Sequence, residues 1–172
     1  MKQKVVPNGT YQVMREKDFI VSKTDLKGKI TYANRVFMEF AKYSEQELLG
    51  QPHNIIRHPF MPRAIFKLLW DTIMRGDEIF AYVLNLAKDG SSYWVFANVT
   101  PVRDTDGNIA GYYSVRRKPK QSSLDTIIPI YDEMLKEEKK YDSKNQIQAS
   151  TKLLNNVLEE KGLDYEEYIL SI

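Results

Sequence analysis

Gly50-Gln51-Pro52-His53-Asn54-Ile55-Ile56-Arg57-His58-Pro59-Phe60-Met61-Pro62, running on into Arg63-Ala64-Ile65-Phe66-Lys67-Leu68-Leu69-Trp70, holds both histidines of the chain and three of its seven prolines. Proline fixes φ and biases the residue before it away from helix. Residues 51–62 therefore read as a stiff, irregular segment. Pro62 suits the first position of a helix, and the spacing predicts that helix over 62–75, with Ile65, Leu68, Leu69 and Ile73 on one face. Phe66 and Trp70 lie one turn apart on the adjoining face. Polar side chains on a stiff loop beside an apolar helix have the character of a pocket wall, with Asn54, Arg57 and His58 as candidate ligand contacts. The plainer alternative is a surface loop that joins two elements.

Upstream, Asp18–Asp25 and Lys29–Ala33 are extended runs joined at Lys27-Gly28, which predicts a hairpin. Asn34 then leads into a helical run with Val36, Phe37 and Phe40 on one face. Ser44 and Glu47 fit a capping box for a second short helix that stops at Gly50. Residues 1–17 are polar and irregular, with a short helical piece expected to pack on the domain. Downstream, Ile79–Leu86, Ser92–Val102 and Ile109–Val115 are extended runs separated by Lys88-Asp89-Gly90 and Asp104-Thr105-Asp106-Gly107-Asn108. Asp-Gly at both joints predicts an antiparallel meander, completed by the first two strands. In the middle run Tyr93, Val95, Ala97 and Val99 share one face and Trp94 and Phe96 the other. Neither face is polar, so both should be covered: one by the helices of 34–75, the other by terminal helices or a second subunit.

Residues 116–122, Arg-Arg-Lys-Pro-Lys-Gln-Ser, read as a basic linker. Leu124, Ile127, Ile128, Tyr131, Met134 and Leu135 then recur at helical spacing, with Pro129 as a kink or a start. A further helix over Ile147–Lys161 carries a narrow stripe of Leu153, Leu154, Val157 and Leu158 and ends at Gly162. Asp164 and Glu167 cap a last helix bearing Tyr165, Tyr168 and Ile169. These helices either fold back on the core or present their stripe to a partner.

A formal net charge of +2 over 172 residues makes no electrostatic case for nucleic acid. The absence of cysteine removes disulfides, thiolate metal sites and cysteine chemistry. No run approaches the roughly 18 apolar residues of a membrane span, and the opening residues lack a signal-peptide core. The expectation is a soluble, cytoplasmic protein with no direct membrane insertion. No Ser-His-acid spacing and no phosphate loop are present, so an enzyme is not expected.

Several strings resemble PAS domains: Thr24-Asp25-Leu26 with Ile30-Thr31 and Ala33-Asn34; Tyr43-Ser44 with Glu47-Leu48 and Gly50; Gly90 with Tyr93-Trp94; and Gly107 with Ile109 and Gly111-Tyr112. The string Gly50 to Asn54, then Arg57-His58-Pro59 and Met61-Pro62, resembles more narrowly the PAS domain of bacterial aerotaxis (energy taxis) receptors. The likeness covers about residues 18–118. It implies an α+β fold: a PAS domain with a five-stranded antiparallel sheet and helices on one face, followed by a C-terminal helical extension. The implied division is an N-terminal cap over 1–17, a sensor domain over 18–118 and the extension over 119–172.

The resemblance also implies non-covalently bound FAD as a redox reporter. Asn34, Arg57, His58, Phe66 and Asn85 match family positions tied to flavin binding or signalling, and His53, Asn54 and Trp70 complete the expected cofactor set. Arginine pairs with a pyrophosphate bidentately, and His and Asn offer hydrogen bonds to phosphate, ribose or ring. Haem held by His53 or His58 is an alternative, as is a cofactor-free interaction or dimerisation module. Two places depart from the family: Phe60 stands where an acid is usual, and Ile79, followed by Phe80, where a Trp is usual. These bulky residues are expected to fill or repack part of the pocket. No receptor or kinase segment lies within the 172 residues, so the expected output is a separate membrane chemoreceptor or other signalling protein, with a homodimer as the sensing unit.

Overall fold

The computed structural model describes residues 5–172. Its strands are β1 (Ile20–Thr24), β2 (Ile30–Ala33), β3 (Ile79–Leu86), β4 (Ser92–Arg103) and β5 (Ile109–Arg117). Its helices are α1 (Arg35–Ala41), α2 (Glu45–Leu48), α3 (Arg63–Met74), α4 (Gln121–Glu138), α5 (Gln146–Lys161) and α6 (Tyr165–Ser171), with one 3-10 turn over His53–Ile56. The strands form one antiparallel sheet in the order β2-β1-β5-β4-β3. The chain enters the sheet at β1, one place in from an edge, and its last strand β5 takes the centre beside it, so β1 and β5 must approach closely. Gly111 makes that possible: a Cβ there would stand 2.3 Å from the Thr24 carbonyl oxygen.

Alternation along the strands decides what each face carries. The register pairs Val83 with Val95, Asn85 with Tyr93, Ala97 with Arg116 and Val99 with Ser114. These residues lie on the face covered by α1, α2, the 3-10 turn and α3. Tyr82, Leu84, Trp94 and Phe96 lie on the other face. The capping box of Ser44 and Glu47 forms as expected, and Asp164 and Glu167 form another at α6.

Helices cover both faces of the sheet, and the second face is covered by the C-terminal extension. Leu124, Ile127, Tyr131 and Met134 of α4, Leu154 of α5, and Tyr168 and Ile169 of α6 belong to the same buried core as the strands. Tyr131 packs on Trp94, with ring centroids 6.3 Å apart, and its hydroxyl donates to the Tyr82 carbonyl at 2.9 Å. The tail therefore folds back, and its Leu153–Leu158 stripe faces the rest of the chain. α4 is continuous through Pro129.

Two expectations are corrected. Residues 5–17 form no helix, because Pro7 and Gly9 interrupt the stretch and its backbone bonds go to β4. The segment lies beside β4 instead: Gln12 N donates to Ser92 O and Ser92 N to Thr10 O, both at 2.8 Å, and Met14 is buried. Residues 1–4 of the expected cap lie outside the described residues. Arg116 and Arg117 belong to β5, not to a linker, since the alternation of Tyr112, Ser114 and Arg116 continues to the end of the strand.

Candidate functional site

Between the first sheet face and α3 lies a cavity of about 400 Å³, within the range of small-molecule sites. The sheet supplies Ser22, Thr24, Val83, Asn85, Ala97, Val99, Tyr112, Ser114 and Arg116. The proline-bounded segment supplies Pro52, His53, Asn54, Ile56 and Arg57. α3 supplies Arg63, Phe66, Lys67, Leu69, Trp70 and Ile73, and α5 contributes Ile147. The stiffness expected of residues 51–62 has a visible cause. Ile30 N donates to Gln51 O, His53 N to Gly28 O, and Arg57 and Asn85 form a backbone bridge that ties the segment to β3.

The lining has a marked charge bias. Lys27, Arg57, Arg63, Lys67 and Arg116 are cationic, and no carboxylate lines the cavity among the described residues. Lys27, Arg63 and Lys67 are exposed, so they mark where the cavity meets solvent. The Arg57 guanidinium lies 4.3 Å from the Phe66 ring centre, and burial, then the charge of Arg63, pushes its pKa down. A groove of about 1100 Å³ continues on the far side of this segment, and Asn54, Arg57 and Arg63 line both spaces. Asn85 is buried on the cavity wall, and its side-chain amide makes no hydrogen bond to the described residues. Trp70 stands edge-on to Tyr112, with centroids 5.6 Å apart, and presses on Gly28.

His53 and Arg116 meet at the inner end. Arg116 Nη2 donates to Ser22 Oγ at 2.5 Å, Ser22 Oγ lies 3.1 Å from His53 Nε2, and Arg116 Nη1 lies 3.4 Å from the same nitrogen. Guanidinium is donor only, so His53 Nε2 is the acceptor and the ring is neutral. Burial and the adjacent Arg116 charge lower His53 to about 3. The imidazole also stacks on Phe37, at 5.8 Å and 21°.

Of the expected cofactor residues, His53, Asn54, Arg57, Phe66, Trp70 and Asn85 line this cavity, whereas Asn34 and His58 do not. Asn34 is the N-cap of α1: its Oδ1 accepts from Phe37 N and Val21 N at 2.9 and 3.0 Å, and its Nδ2 donates to Phe19 O at 2.8 Å. All three bonds go to backbone and clip α1 to β1. Asn34→Ala is expected to cost about 1–2 kcal/mol, the usual worth of a lost cap, in urea unfolding, with ligand affinity unchanged. His58 is buried behind the segment, where its Nε2 lies 3.1 Å from Ser92 Oγ and its Nδ1 accepts from Phe60 N at 3.1 Å. With both ring nitrogens engaged, His58 is not free to ligate iron, and its place is on the wall of the second groove. Desolvation lowers it to about 4.

The bulky departures stay clear of the cavity. Phe60 is exposed and packs edge-on against His58, Ile79 joins a small core with Ile73 and Tyr112, and Phe80 stacks on Phe96. Ser22 and Arg116 went unnoticed in the sequence, although strand alternation alone places Arg116 in line with Tyr112 and Ser114.

Comparison with known proteins agrees with this geometry. A family model described as the PAS fold matches residues 30–116. The aerotaxis receptor of Escherichia coli (strain K12) is 41% identical over 112 residues, which cover 65% of this chain and 22% of the receptor. The chain thus spans about a fifth of the length of that curated relative. Among solved structures, the dark structure of the blue-light photoreceptor Aureochrome1 LOV domain superposes with a TM-score of 0.56 at 28% identity, over 66% of this chain and 83% of that one. A light-oxygen-voltage domain whose structure concerns a flavin analogue superposes with a TM-score of 0.55 at 26% identity, over 67% and 86% of the two chains. Sequence, sheet order and cavity agree that this chain belongs to the PAS fold family.

Proposed function

We propose that the chain is a flavin-binding redox sensor for energy taxis, holding FAD in the cavity between the sheet and α3. The observation that carries this reading is the cavity lining: apolar and aromatic walls, five cationic side chains and no carboxylate among the described residues. Such a lining suits a flat, electron-accepting ring that carries phosphates. Phe66, Trp70, Val83 and Val99 would flank the ring, and the free amide of Asn85 would hydrogen-bond its polar edge. Arg57, Arg63, Lys67 and Lys27 would hold phosphate. The second groove beyond Asn54 and Arg57 supports a dinucleotide over a mononucleotide, because it offers room for a further moiety. When bound, FAD supplies a reversible redox centre.

The residues of the chain do the rest of the work. β3 carries Val83 and Asn85 toward the cavity and Tyr82 toward α4, where its carbonyl accepts from Tyr131. A change at the Asn85 amide is therefore three residues along β3 from a contact with the helical tail. We assign no catalytic turnover to the site. The reading includes a cytoplasmic homodimer that signals to a separate membrane chemoreceptor, supported by the likeness to the aerotaxis receptor; no helix among the described residues is long and apolar enough to cross a membrane.

The test is a visible spectrum of the freshly purified protein, before and after dithionite. Flavin bands that bleach on reduction are expected, and a colourless protein that takes up no added FAD overturns the reading. Asn85→Ala should weaken FAD binding by roughly two- to tenfold, the worth of one net hydrogen bond, with unchanged thermal stability.

A further inference from the structure

We infer that Arg116 makes the cavity selective for the charge state of its occupant, so that the site holds the reduced, anionic form of the ring more tightly than the oxidised form. This rests on the flavin reading above and deepens it. Arg116 is 2% exposed, lines the cavity, and has an Nε with no hydrogen-bond partner.

Every group packed around Arg116 is neutral. β1 offers the Ser22 hydroxyl and α1 the Phe37 ring, 4.5 Å from the guanidinium carbon. The 3-10 turn offers His53 as a neutral acceptor. Tyr93 on β4 keeps its proton, because burial pushes its hydroxyl up. Burial also lowers Arg116 itself to about 10, which leaves it a cation at neutral pH. An ionised group taken out of water without a counter-charge is costly. The other cavity cations are of the same sign, so the missing negative charge has one place left to come from: the occupant.

Oxidised flavin carries no charge on its ring. Two electrons from an external donor and one proton give the hydroquinone monoanion; a second proton gives the neutral hydroquinone. A buried guanidinium beside the ring favours the monoanion and keeps the second proton off. An opposite charge at close range moves such an equilibrium by one to three pK units, about tenfold or more in relative affinity.

The experiment is a redox titration of the FAD-loaded full chain, with dithionite as donor, at several pH values just below neutrality, where free hydroquinone is neutral. His53 does not titrate in that window. The wild-type midpoint should move by about 30 mV per pH unit, one proton for two electrons. Arg116→Gln should steepen this to about 60 mV per pH unit and lower the midpoint by at least about 30 mV, a tenfold loss of preference for the reduced form. Arg116→Lys should keep the shallow slope. A wild-type slope near 60 mV, or an Arg116→Gln titration that overlays wild type, overturns the assignment while the flavin reading stands. If Arg116→Gln does not fold, the wild-type slope and the lysine variant still decide. A chain that binds no FAD overturns both.

Discussion

Tyr131→Ala should lower the unfolding free energy by about 3–5 kcal/mol, the range for deleting a large aromatic from a core. For a chain of this size, that is a fall of roughly 6–20 °C in Tm. Tyr131 is 2% exposed, packs on Trp94 and donates to the Tyr82 carbonyl on β3, an edge strand of the sheet. The substitution removes the ring that joins α4 to the second sheet face, and the tail cannot close the gap without breaking the contacts of Ile127 and Met134 beside it. Tyr131→Phe should cost only about 0.5–1.5 kcal/mol, the net worth of one hydrogen bond. Chemical denaturation of the full chain measures both. If Tyr131→Ala unfolds at the wild-type midpoint, α4 is not part of the folding unit, and its apolar face would be free for a partner.

Acid should destabilise the protein well above the carboxylate range. His53 and His58 are held neutral at about 3 and about 4 by burial, whereas an unfolded histidine titrates near 6.5. Between those values the unfolded chain binds more protons than the native one, so stability rises with pH. The penalty is absent above about pH 6.5 and grows as pH falls toward the native values. At pH 5 unfolding should take up about two protons, which corresponds to roughly 1.4 kcal/mol per pH unit for each histidine. Urea midpoints between pH 7 and pH 5 would show it. Replacing both histidines by glutamine should flatten the dependence, and a wild-type protein equally stable across that range would contradict the buried, neutral state of both rings. Glu47 and Asp89, whose pKa values are lowered by their hydrogen bonds to Lys88 and to Ser91, add a loss of the same sign only at lower pH.

The order of elements was readable because its causes are local. A capping box needs residues three apart, a hairpin turn needs Asp-Gly, and a strand face needs period two. The proline-bounded segment also announced itself, since Pro52, Pro59 and Pro62 restrict their own backbone and that of their neighbours. Asn54, Arg57, Phe66, Trp70 and Asn85 followed from that segment, from the helix after it and from family likeness.

Roles were harder than positions. His58 and His53 look alike in the sequence, yet one is consumed by Ser92, 34 positions away, while the other faces the cavity beside Arg116. Asn34 is identical in type to Asn85, but its amide is spent on three backbone groups and that of Asn85 on none.

The sequence by itself determined the strands, the short helices, the rigid segment at 51–62 and membership of a sensory family, because turns, caps and alternation act within a few residues. Only the tertiary structure decided that the tail covers the second sheet face, that Phe60 points outward and that Arg116 is a buried cation and not part of a basic linker. Arg116 takes its character from Ser22, 94 residues away, and from His53, 63 away. A charged residue at the end of a strand is solvated or buried according to what packs over it, and that is settled only when the sheet has closed.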